Sequence, residues 1–395
     1  MKVGVVGGGI GGLSAAIALD EIGHDVTVFE AYPEPTPGAG GAFLNLAPNG
    51  MNALESLALS EAVTEVGWPS SGIRFYNHRH QTIGELDASD HGERFRFGNT
   101  MIRRADLHGC LLDAAHRTDV TVEFDHRLVS IDEHPDWVDV SFSAGRLRRY
   151  DLVVGADGVH STVRQHVDAR SELRFLGLID VGGFAPVQPA GLELGYQHMI
   201  FGRDAFFGFF GTPTGETWWF SNRPSDIRSD RNAVDFDWRR ELTELHRHDP
   251  PVIGEIISVS DDPVGGWPTT ELAPLAQWHT DRVVLIGDAA HATSPSAGQG
   301  ASLAIEDAAW LAHILRGDTP VPKALADFER ERRPRVERLV EDARRNTSHK
   351  TPGPVGRWVR DLLLPVFLKV GTRAAERGYN HLTPPVVPSD RTETP

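Results

Sequence analysis

Residues 2–30, KVGVVGGGIGGLSAAIALDEIGHDVTVFE, decide the fold of this chain, because they set a glycine cluster between two apolar runs. Residues 2–6 predict a short buried strand, and the β-branched run at residues 25–30 predicts a second one. The alanine-rich stretch at residues 13–19 predicts a helix between them. The order of strand, glycine turn, helix and strand predicts a βαβ unit of an α/β fold.

The glycine cluster carries a specific pattern. Gly7, Gly9 and Gly12 match G-x-G-x-x-G, directly after the first strand and at the start of the helix. The first glycine allows a tight turn, the second lets a pyrophosphate approach the backbone, and the third lets helix and strand pack closely. Glu30 follows Gly12 by 18 residues and can accept hydrogen bonds from ribose hydroxyls. A 2′-phosphate would be repelled there, so the unit predicts a dinucleotide site that disfavours NADP.

Composition excludes several classes of protein. The net charge of −16 over 395 residues argues against binding to nucleic acid or to an anionic membrane. The apolar run at residues 362–368 is interrupted by Pro365, and no run approaches a membrane span of about 20 residues. The early glycines would break a signal helix, so a cytoplasmic location is expected. Cys110 is the single cysteine, which excludes an internal disulfide and suggests a core thiol.

Two further segments share a feature with the second strand, which is an acidic residue at the end of a predicted buried strand. Residues 151–156 and residues 282–286 each predict a buried strand, and these strands end at Asp157 and Asp288. Ligands of open α/β sheets lie at the carboxyl ends of the strands. Both aspartates are therefore expected at the edge that also holds the glycine turn.

The rest of the chain predicts a second unit and a helical end. Alternating residues within 121–142 predict antiparallel strands, and the aromatic-rich residues 173–272 predict a mostly antiparallel sheet with a helix near 235–245. Residues 301–315 and 324–345 predict helices, the second kinked by Pro334. The arginines between 330 and 338 alternate with glutamates and predict a solvated helix face, and the tail from Pro384 is expected to fray.

With these motifs in order, the chain resembles the class A, single-component FAD-dependent aromatic hydroxylases, a family of monooxygenases. The resemblance runs from residue 3 to about residue 335. Besides the glycine turn it includes these segments: Gly38-Ala39-Gly40, Arg104-Ala105-Asp106-Leu107, Asp157-Gly158, and Gly287-Asp288 through Asp307. It implies an α/β fold with a Rossmann-like FAD-binding domain, an interleaved antiparallel-sheet substrate domain and C-terminal helices.

The resemblance also implies domain boundaries. The FAD-binding domain would be discontinuous, formed by residues 1–72, 100–172 and 273–345. The substrate domain would take residues 73–99 and 173–272, and the C-terminal helices and tail residues 346–395. The chain is expected to be a monomer or a homodimer.

Cofactor residues follow from the resemblance position by position. Glu30 would bind the adenosine ribose, Arg104 the pyrophosphate or ribitol, the backbone near Leu128 the adenine, and Asp288 the ribitol hydroxyls and pyrophosphate. Asp157 has two interpretations, one in FAD and nicotinamide handling and one structural, holding Arg164 and the turn. The full FAD set is Gly7, Gly9, Ile10, Gly11, Gly12, Glu30, Ala31, Gly40, Gly41, Arg104, Leu128, Asp157, Asp288, Pro295, Gly298, Gln299, Gly300 and Ala301.

The glycine-rich run from Pro295 to Gly300 opens a helix, and it predicts a site that favours the negative charge of reduced flavin. Many members of the family have Asn near position 302, where this chain has Ser302. A role that depends on a side-chain amide there is therefore in doubt.

The implied chemistry belongs to the cofactor. NADPH or NADH would bind transiently and reduce FAD, and O2 would add at C4a to give a hydroperoxide that attacks an aromatic or polycyclic small molecule. No catalytic side chain is assigned, and the chemistry needs neither a Ser-His-Asp triad nor a metal. His78 and His80 could suggest a metal site, but the sequence offers no third ligand for it. His291 is interpreted as a structural hydrogen-bonding residue.

The aromatic block predicts a substrate cavity, with packing of the sheet core as the alternative interpretation. Its candidate lining residues are Phe201, Phe207, Phe209, Trp218 and Phe220. Two other functions stay open. One is a reductase or halogenase of the same superfamily, although the Trp-x-Trp-x-Ile-Pro stretch of halogenases is absent. The other is a non-catalytic flavin-binding partner protein.

Overall fold

The structure is a computed structural model of the chain. It describes residues 1–36, 42–143, 145, 147–226, 236–261, 264–295, 298–347, 353–379 and 383–384. Strands and helices are numbered below in chain order.

A parallel sheet forms the first layer, and its five strands are β1 (Lys2–Val6), β2 (Asp25–Phe29), β8 (Thr121–Glu123), β12 (Leu152–Gly155) and β18 (Val283–Leu285). Their order is β18–β12–β1–β2–β8, and every neighbouring pair is parallel. The central strands are buried on both faces, as expected for a sheet covered by helices. The predicted βαβ unit is therefore confirmed.

The helices of the chain differ widely in length. They are α1 (Ile10–Glu21), α2 (Pro48–Ser56), α3 (Ser60–Val66), α4 (His91–Phe95), α5 (Arg104–His116), α6 (Val163–Val167), α7 (Trp238–Leu245), α8 (Pro251–Val259), α9 (Asp288–His291), α10 (Gly300–Leu315), α11 (Val321–Thr347) and α12 (Pro354–Tyr379). Three of them, α1, α5 and α10, bury apolar residues in the core around the parallel sheet.

The prediction of antiparallel strands throughout residues 121–142 is wrong at its start. Strand β8 lies parallel to β2, because helix α5 precedes it as a crossover connection and such a connection returns a strand in the same direction. The antiparallel pattern begins later, in a separate three-stranded sheet of β9 (Leu128–Glu133), β10 (Val138–Phe142) and β11 (Leu147–Tyr150).

The second unit is built on a seven-stranded sheet with the order β17–β13–β16–β15–β14–β5–β6. Its strands are β5 (Gly72–Asn77), β6 (Thr82–Asp87), β13 (Leu173–Ala185), β14 (Tyr196–Phe201), β15 (Phe206–Gly211), β16 (Thr217–Pro224) and β17 (Val264–Leu272). All neighbouring pairs are antiparallel except β14 with β5. The predicted mostly antiparallel sheet, and with it the α/β fold class, is confirmed.

The two faces of this sheet have different neighbours. Helices α7 and α8 cover one face, which we call the outer face. The other, the inner face, packs against a small antiparallel sheet of β3 (Phe43–Leu46), β7 (Asn99–Arg103) and β4 (Trp68–Ser70). The predicted helix near residue 235 begins at Trp238, capped by the Asp237 carboxylate, which accepts the Arg240 N–H at 2.9 Å. Helix α8 was missed by the sequence analysis.

Two long helices, α11 and α12, each contain a proline. Pro334 lies inside α11, and Pro365 lies inside α12, which contacts strand β6. Among the described residues, no helix combines the length and apolarity that crossing a bilayer would require. The tail predicted to fray lies almost wholly outside the described residues. The strands of the two large sheets follow the predicted domain ranges to within a residue, and the division into domains stays a prediction.

Candidate active site

The glycine turn has the geometry of a phosphate cradle. Gly7 has φ +108° and donates its N–H to the Phe29 carbonyl at 2.8 Å. A Cβ built on Gly12 would lie 1.8 Å from the Gly7 oxygen, so only glycine allows the helix to pack there. Gly9 has an ordinary φ of −79°, yet no atom of the described residues lies within 4 Å of a Cβ built on it. The open side of the turn is therefore at Gly9, where the N-terminus of α1 favours an anion.

Glu30 stands beside this turn at the end of β2. Its carboxylate accepts the Gly8 N–H at 2.8 Å and the Tyr32 N–H at 3.0 Å, with Ala31 between. His108 of α5 donates to the Gly8 carbonyl at 2.7 Å. The sequence analysis missed His108, because nothing in the local pattern of a helix reveals a contact 100 residues away. Together these bonds place an acid next to the cradle.

Two other predicted residues lie at the edge of this site. Arg104 is the first residue of α5, with an exposed side chain, and its N–H bonds to the Ala42 carbonyl at 2.9 Å. Leu128 begins β9 and is buried, and the His126 N–H just before it bonds to the Glu30 carbonyl at 2.7 Å. Gly40 and Gly41 lie outside the described residues.

Asp157 and Arg164 tie two strand ends together. The Asp157 carboxylate accepts the N–H groups of Thr162 and Val163, at 2.6 and 3.1 Å, and so caps α6. Arg164 is 2% exposed and donates to the carbonyls of Val159 and Ala289, at 2.7 and 3.1 Å. This geometry supports the structural interpretation of Asp157, and a direct contact with the cofactor stays a prediction.

The turn at Gly287 brings Asp288 to the start of α10. Gly287 has φ +56°, and a Cβ on it would lie 3.0 Å from the Ala304 Cβ. A Cβ on Gly300 would lie 3.8 Å from Asp288 Oδ1, so the exposed carboxylate faces the first residue of α10. Ala304 also lies 3.3 Å from a Cβ built on Gly11. The N-termini of α1 and α10 therefore converge beside Asp288.

The loop before α10 is held from the other side. Gly298 has φ +57°, and its N–H bonds to the Pro295 carbonyl at 2.9 Å. Asn49 of α2 donates to Gln299 Oε1 at 3.1 Å and to Glu306 Oε1 at 2.8 Å. Gln299 is the N-cap residue of α10, with Gly300 and Ala301 following. This loop is thus anchored to α2 and to the interior of α10.

Behind the site lies a buried ionic cluster, the Glu306–Asp307 network. Both carboxylates and the Arg332 guanidinium have no exposed surface. Arg332 bonds to Asp307 and pairs with Glu306, each at 2.8 Å, and Arg335 pairs with Glu306 at 2.6 Å. Asp307 also accepts the Gly287 N–H at 3.0 Å and a bond from His291 at 2.6 Å.

This network corrects one prediction and supports another. The arginines of α11 do not form one solvated face, because Arg332 and most of Arg335 face α10. His291 has the structural hydrogen bond that was expected of it. Burial alone would raise the pKa of Asp307, but His291 and Arg332 outweigh that effect and hold its pKa at about 2. Glu306 also has a pKa of about 2, because Arg332 and Arg335 outweigh its burial.

The five predicted substrate residues do not share one face of the seven-stranded sheet. Phe207 and Phe209 lie in the outer-face core, packed with α7 and α8, and Phe207 stacks on Trp219 at 5.5 Å. Cross-strand pairs share a face, and Trp218 pairs with Phe210, which packs against Met101 of β7. The five residues therefore do not all line one cavity, because consecutive residues of a strand alternate between faces. The position of Phe207 and Phe209 fits the alternative interpretation, packing of the sheet core, and a substrate contact of the other three stays a prediction.

The other three predicted aromatic residues, Phe201, Trp218 and Phe220, lie on the inner face. Trp218 and Phe220 lie 5.8 and 6.1 Å from the ring of Phe43. Phe201 lies farther along the face, 5.1 Å from Phe206, with the Arg360 guanidinium of α12 4.4 Å above its ring. Strand β3, which starts at Phe43, leads to Ala47, whose N–H bonds to Ser302 of α10 at 3.3 Å. The inner face therefore adjoins the loop that follows Asp288.

A hydrogen-bonded Ser221, His246 and Asp249 chain lies within the outer-face core. Ser221 Oγ is 2.9 Å from His246 Nε2, and His246 Nδ1 is 2.7 Å from Asp249 Oδ2. Ser221 has no exposed surface, and the side chains of His246 and Asp249 are 1% and 0% exposed. Because all three side chains are buried, this serine is closed to a substrate, and the hydrogen bonds satisfy buried polar groups.

Comparison with known proteins gives one consistent result. The family described as "FAD binding domain" matches residues 1–343. FAD-dependent urate hydroxylase of Klebsiella pneumoniae is 30% identical over 350 residues, which cover 87% of this chain and 89% of that protein. The 3-amino-4-hydroxybenzoate 2-monooxygenase of Streptomyces cremeus is 30% identical over 375 residues, covering 90% of this chain and 89% of that one.

Solved structures agree with this result. The structure of Klebsiella pneumoniae HpxO complexed with FAD and uric acid has a TM-score of 0.84 at 26% identity, covering 97% of this chain and 96% of that chain. A cradle open at Gly9 and flanked by Glu30 and Asp288 fits FAD. The chain belongs to the FAD binding domain family of single-component aromatic hydroxylases, and it is an FAD-dependent monooxygenase.

Proposed function

We propose that this chain uses NADH or NADPH and O2 to hydroxylate an aromatic or polycyclic small molecule. The observation that carries the proposal is the convergence of the Gly9 cradle, Asp288 and the N-terminus of α10 at one sheet edge, next to an aromatic inner face. Dinucleotides bind at this edge of α/β sheets, and aromatic small molecules bind in apolar pockets beside it.

Each group at the edge has a distinct task in this proposal. The backbone at Gly9 and the start of α1 would hold the pyrophosphate, and Glu30 would accept from the adenosine ribose. Asp288 would accept from the ribitol, and Arg104 would offset phosphate charge. The N–H groups at the start of α10, from Gly300, would stabilise negative charge on the reduced ring. When bound, FAD supplies hydride acceptance and activation of O2 at C4a.

The protein's remaining task is to exclude water and orient the substrate. The rings of Trp218 and Phe220 lie 5.8 and 6.1 Å from the ring of Phe43 on the inner face, with Trp218 buried and Phe43 and Phe220 partly exposed. Among the described residues, no second glycine-rich βαβ unit follows the first. A nicotinamide cofactor would therefore bind transiently in a groove.

The function is tested with purified holoenzyme and a set of phenols and fused heteroaromatic compounds. We expect one or more compounds to stimulate NADH or NADPH oxidation by at least about tenfold, with a product that carries one added oxygen atom. Fast oxidation without an oxygenated product would favour the reductase alternative. Flavin that neither nucleotide reduces, with any compound, would favour a non-catalytic flavin-binding protein.

The two sheet faces give a matched pair of variants. Phe220→Ala should raise KM for the stimulating compound by about tenfold or more while FAD stays bound, because a ring of the inner face is lost. Phe207→Ala should leave KM nearly unchanged and lower the free energy of unfolding by about 3–5 kcal/mol, because it empties a fully buried site. Steady-state kinetics and urea unfolding measure both effects. A KM effect from Phe207→Ala alone would support the interpretation that Phe207 lines the pocket.

A further inference from the structure

One side of helix α12 carries a row of exposed apolar side chains, which we call the α12 stripe. Its members are between 40% and 77% exposed, and they are Val355, Trp358, Val359, Leu362 and Leu363. They follow one another at intervals of three, one, three and one residues, so all five lie on one side of a helix with 3.6 residues per turn. At a rise of 1.5 Å per residue, the stripe is about 12 Å long. The other exposed large apolar side chains of the described residues are widely spaced along the chain. An exposed apolar cluster of this kind typically marks an interaction surface.

The opposite side of α12 attaches the helix to the rest of the protein. Leu364 and Leu368 lie one turn apart on that side and pack over Gly84 of β6. Toward the C-terminal end of the helix, Glu376 pairs with Arg94 of α4 at 2.6 Å. These contacts hold α12 without the α12 stripe, which faces solvent.

The sequence around the α12 stripe is basic. Residues 344–379 contain eight arginine and lysine residues and two acidic residues, Asp361 and Glu376. Both acidic residues are paired, Asp361 with Arg360 and Glu376 with Arg94. The segment therefore has a net charge of +6, in a chain whose net charge is −16.

The charge next to the α12 stripe matters more than the charge of the whole chain. The total disfavours an anionic surface, as the composition predicts. At physiological salt, however, exposed charges separated by more than about 8 Å are largely screened from each other. The surface that meets the α12 stripe is therefore attracted or repelled mainly by the basic segment around it.

This combination of features fits the surface of an anionic lipid bilayer. Helices that lie in the bilayer interface have an apolar side that includes tryptophan or leucine, together with basic residues that attract anionic headgroups. A second copy of this chain fits less well. Two-fold pairing through the α12 stripe would bring the basic segments of both copies against each other.

We infer that the α12 stripe binds the protein to an anionic lipid surface, with α12 parallel to the plane of the bilayer. The apolar side chains would enter the boundary between headgroups and acyl chains, and the helix would not cross the bilayer. The inference goes beyond the proposed function and does not depend on it, because binding to lipid needs no turnover.

The test is co-sedimentation of the holoenzyme with lipid vesicles, in which flavin absorbance of the pellet reports the bound protein. We expect binding to vesicles of phosphatidylcholine with about 30% phosphatidylserine, and at least about tenfold weaker binding to vesicles of phosphatidylcholine alone. An increase in NaCl from about 50 mM to about 500 mM should weaken binding to the anionic vesicles by at least about tenfold.

Two leucines with similar exposure give a matched pair of variants. Leu362→Glu should lower the affinity for anionic vesicles by at least about tenfold, because an apolar contact is lost and a negative charge is added. Leu147→Glu, in β11, is the control, because Leu147 is 64% exposed and Leu362 is 60% exposed. It should leave the affinity unchanged. Both variants should retain FAD, because neither side chain is part of the core.

Three results would overturn the inference: no binding to anionic vesicles, equal binding to anionic and neutral vesicles, or an equal loss of binding in the two variants. A dimer that Leu362→Glu dissociates, in a protein that does not bind vesicles, would assign the α12 stripe to a second copy instead. Failure of the proposed function has a different signature, which is flavin that NADH and NADPH do not reduce.

Discussion

Gly9→Val is expected to abolish FAD binding while the protein keeps its fold. Within the part of the chain that the structure describes, a Cβ at Gly9 meets no atom within 4 Å, and the backbone there, at φ −79° and ψ −171°, suits valine. The added side chain fills only the space through which a pyrophosphate must approach the backbone. We expect FAD affinity to fall by at least about 100-fold, which corresponds to about 2.7 kcal/mol. Flavin retained after purification and titration of the apoprotein with FAD measure the loss.

Two other glycines serve as controls for this variant. Gly254→Val, in the exposed part of α8, also adds a side chain to open space and should leave FAD binding unchanged. Gly12→Ala should lower both stability and FAD binding, because its Cβ would lie 1.8 Å from the Gly7 oxygen. If Gly9→Val retains FAD with native affinity, the pyrophosphate does not bind at this turn.

The glycine turn was predictable because its geometry is local. Gly7 and Gly12 are five residues apart, and one strand and one helix fix their contact. The direction of β8 was not predictable in the same way. This strand has only three residues, too few for a sequence pattern, and its direction depends on pairing with β2, which is distant in the sequence. The local sequence pattern was therefore sufficient to predict the βαβ unit with its glycine turn, whereas the arrangement of the other strands depends on pairing between distant segments.

The aromatic residues show the same limit on the substrate side. The alternation of side chains along β15 was sufficient to separate Phe207 and Phe209 from Phe206 and Phe210. The pair that packs against helices depends on which face of the sheet α7 and α8 cover, and the alternation along the strand does not determine that face.

Arg332 also appeared solvated, because the local pattern around it alternates arginine with glutamate. The signal that could have revealed its burial lies in another helix. Glu306 and Asp307 interrupt the otherwise apolar centre of α10, where two adjacent carboxylates need buried partners. The sequence therefore indicates that these carboxylates need positively charged partners, but only the contact between α10 and α11 identifies Arg332 and Arg335 as those partners.

Arg332→Leu is expected to be the most destabilising single change outside the hydrophobic core. It leaves two buried carboxylates with too little positive charge, which typically costs about 3–5 kcal/mol. Urea unfolding of the holoenzyme measures this loss. Arg330→Leu is the matched control on the same helix, since its guanidinium is exposed and pairs with Asp327 at the surface. That change should leave the free energy of unfolding nearly unchanged, because exposed ion pairs contribute little to stability.

The same variant should also weaken FAD binding, although Arg332 belongs to the network behind the proposed cofactor site. Asp307 holds the Gly287 N–H at 3.0 Å, and Gly287 sets the direction of Asp288. When Arg332 is lost, Asp307 is expected to take up a proton or move, and the turn at Gly287 loses its fixed acceptor.

Adding Glu306→Gln and Asp307→Asn to Arg332→Leu should recover part of the stability, because the uncompensated charges disappear. FAD affinity should stay low in this triple variant, since an amide at position 307 is a weaker acceptor for the Gly287 N–H than a carboxylate. Recovery of FAD affinity together with stability would instead mean that the network supports only the fold and does not position Asp288.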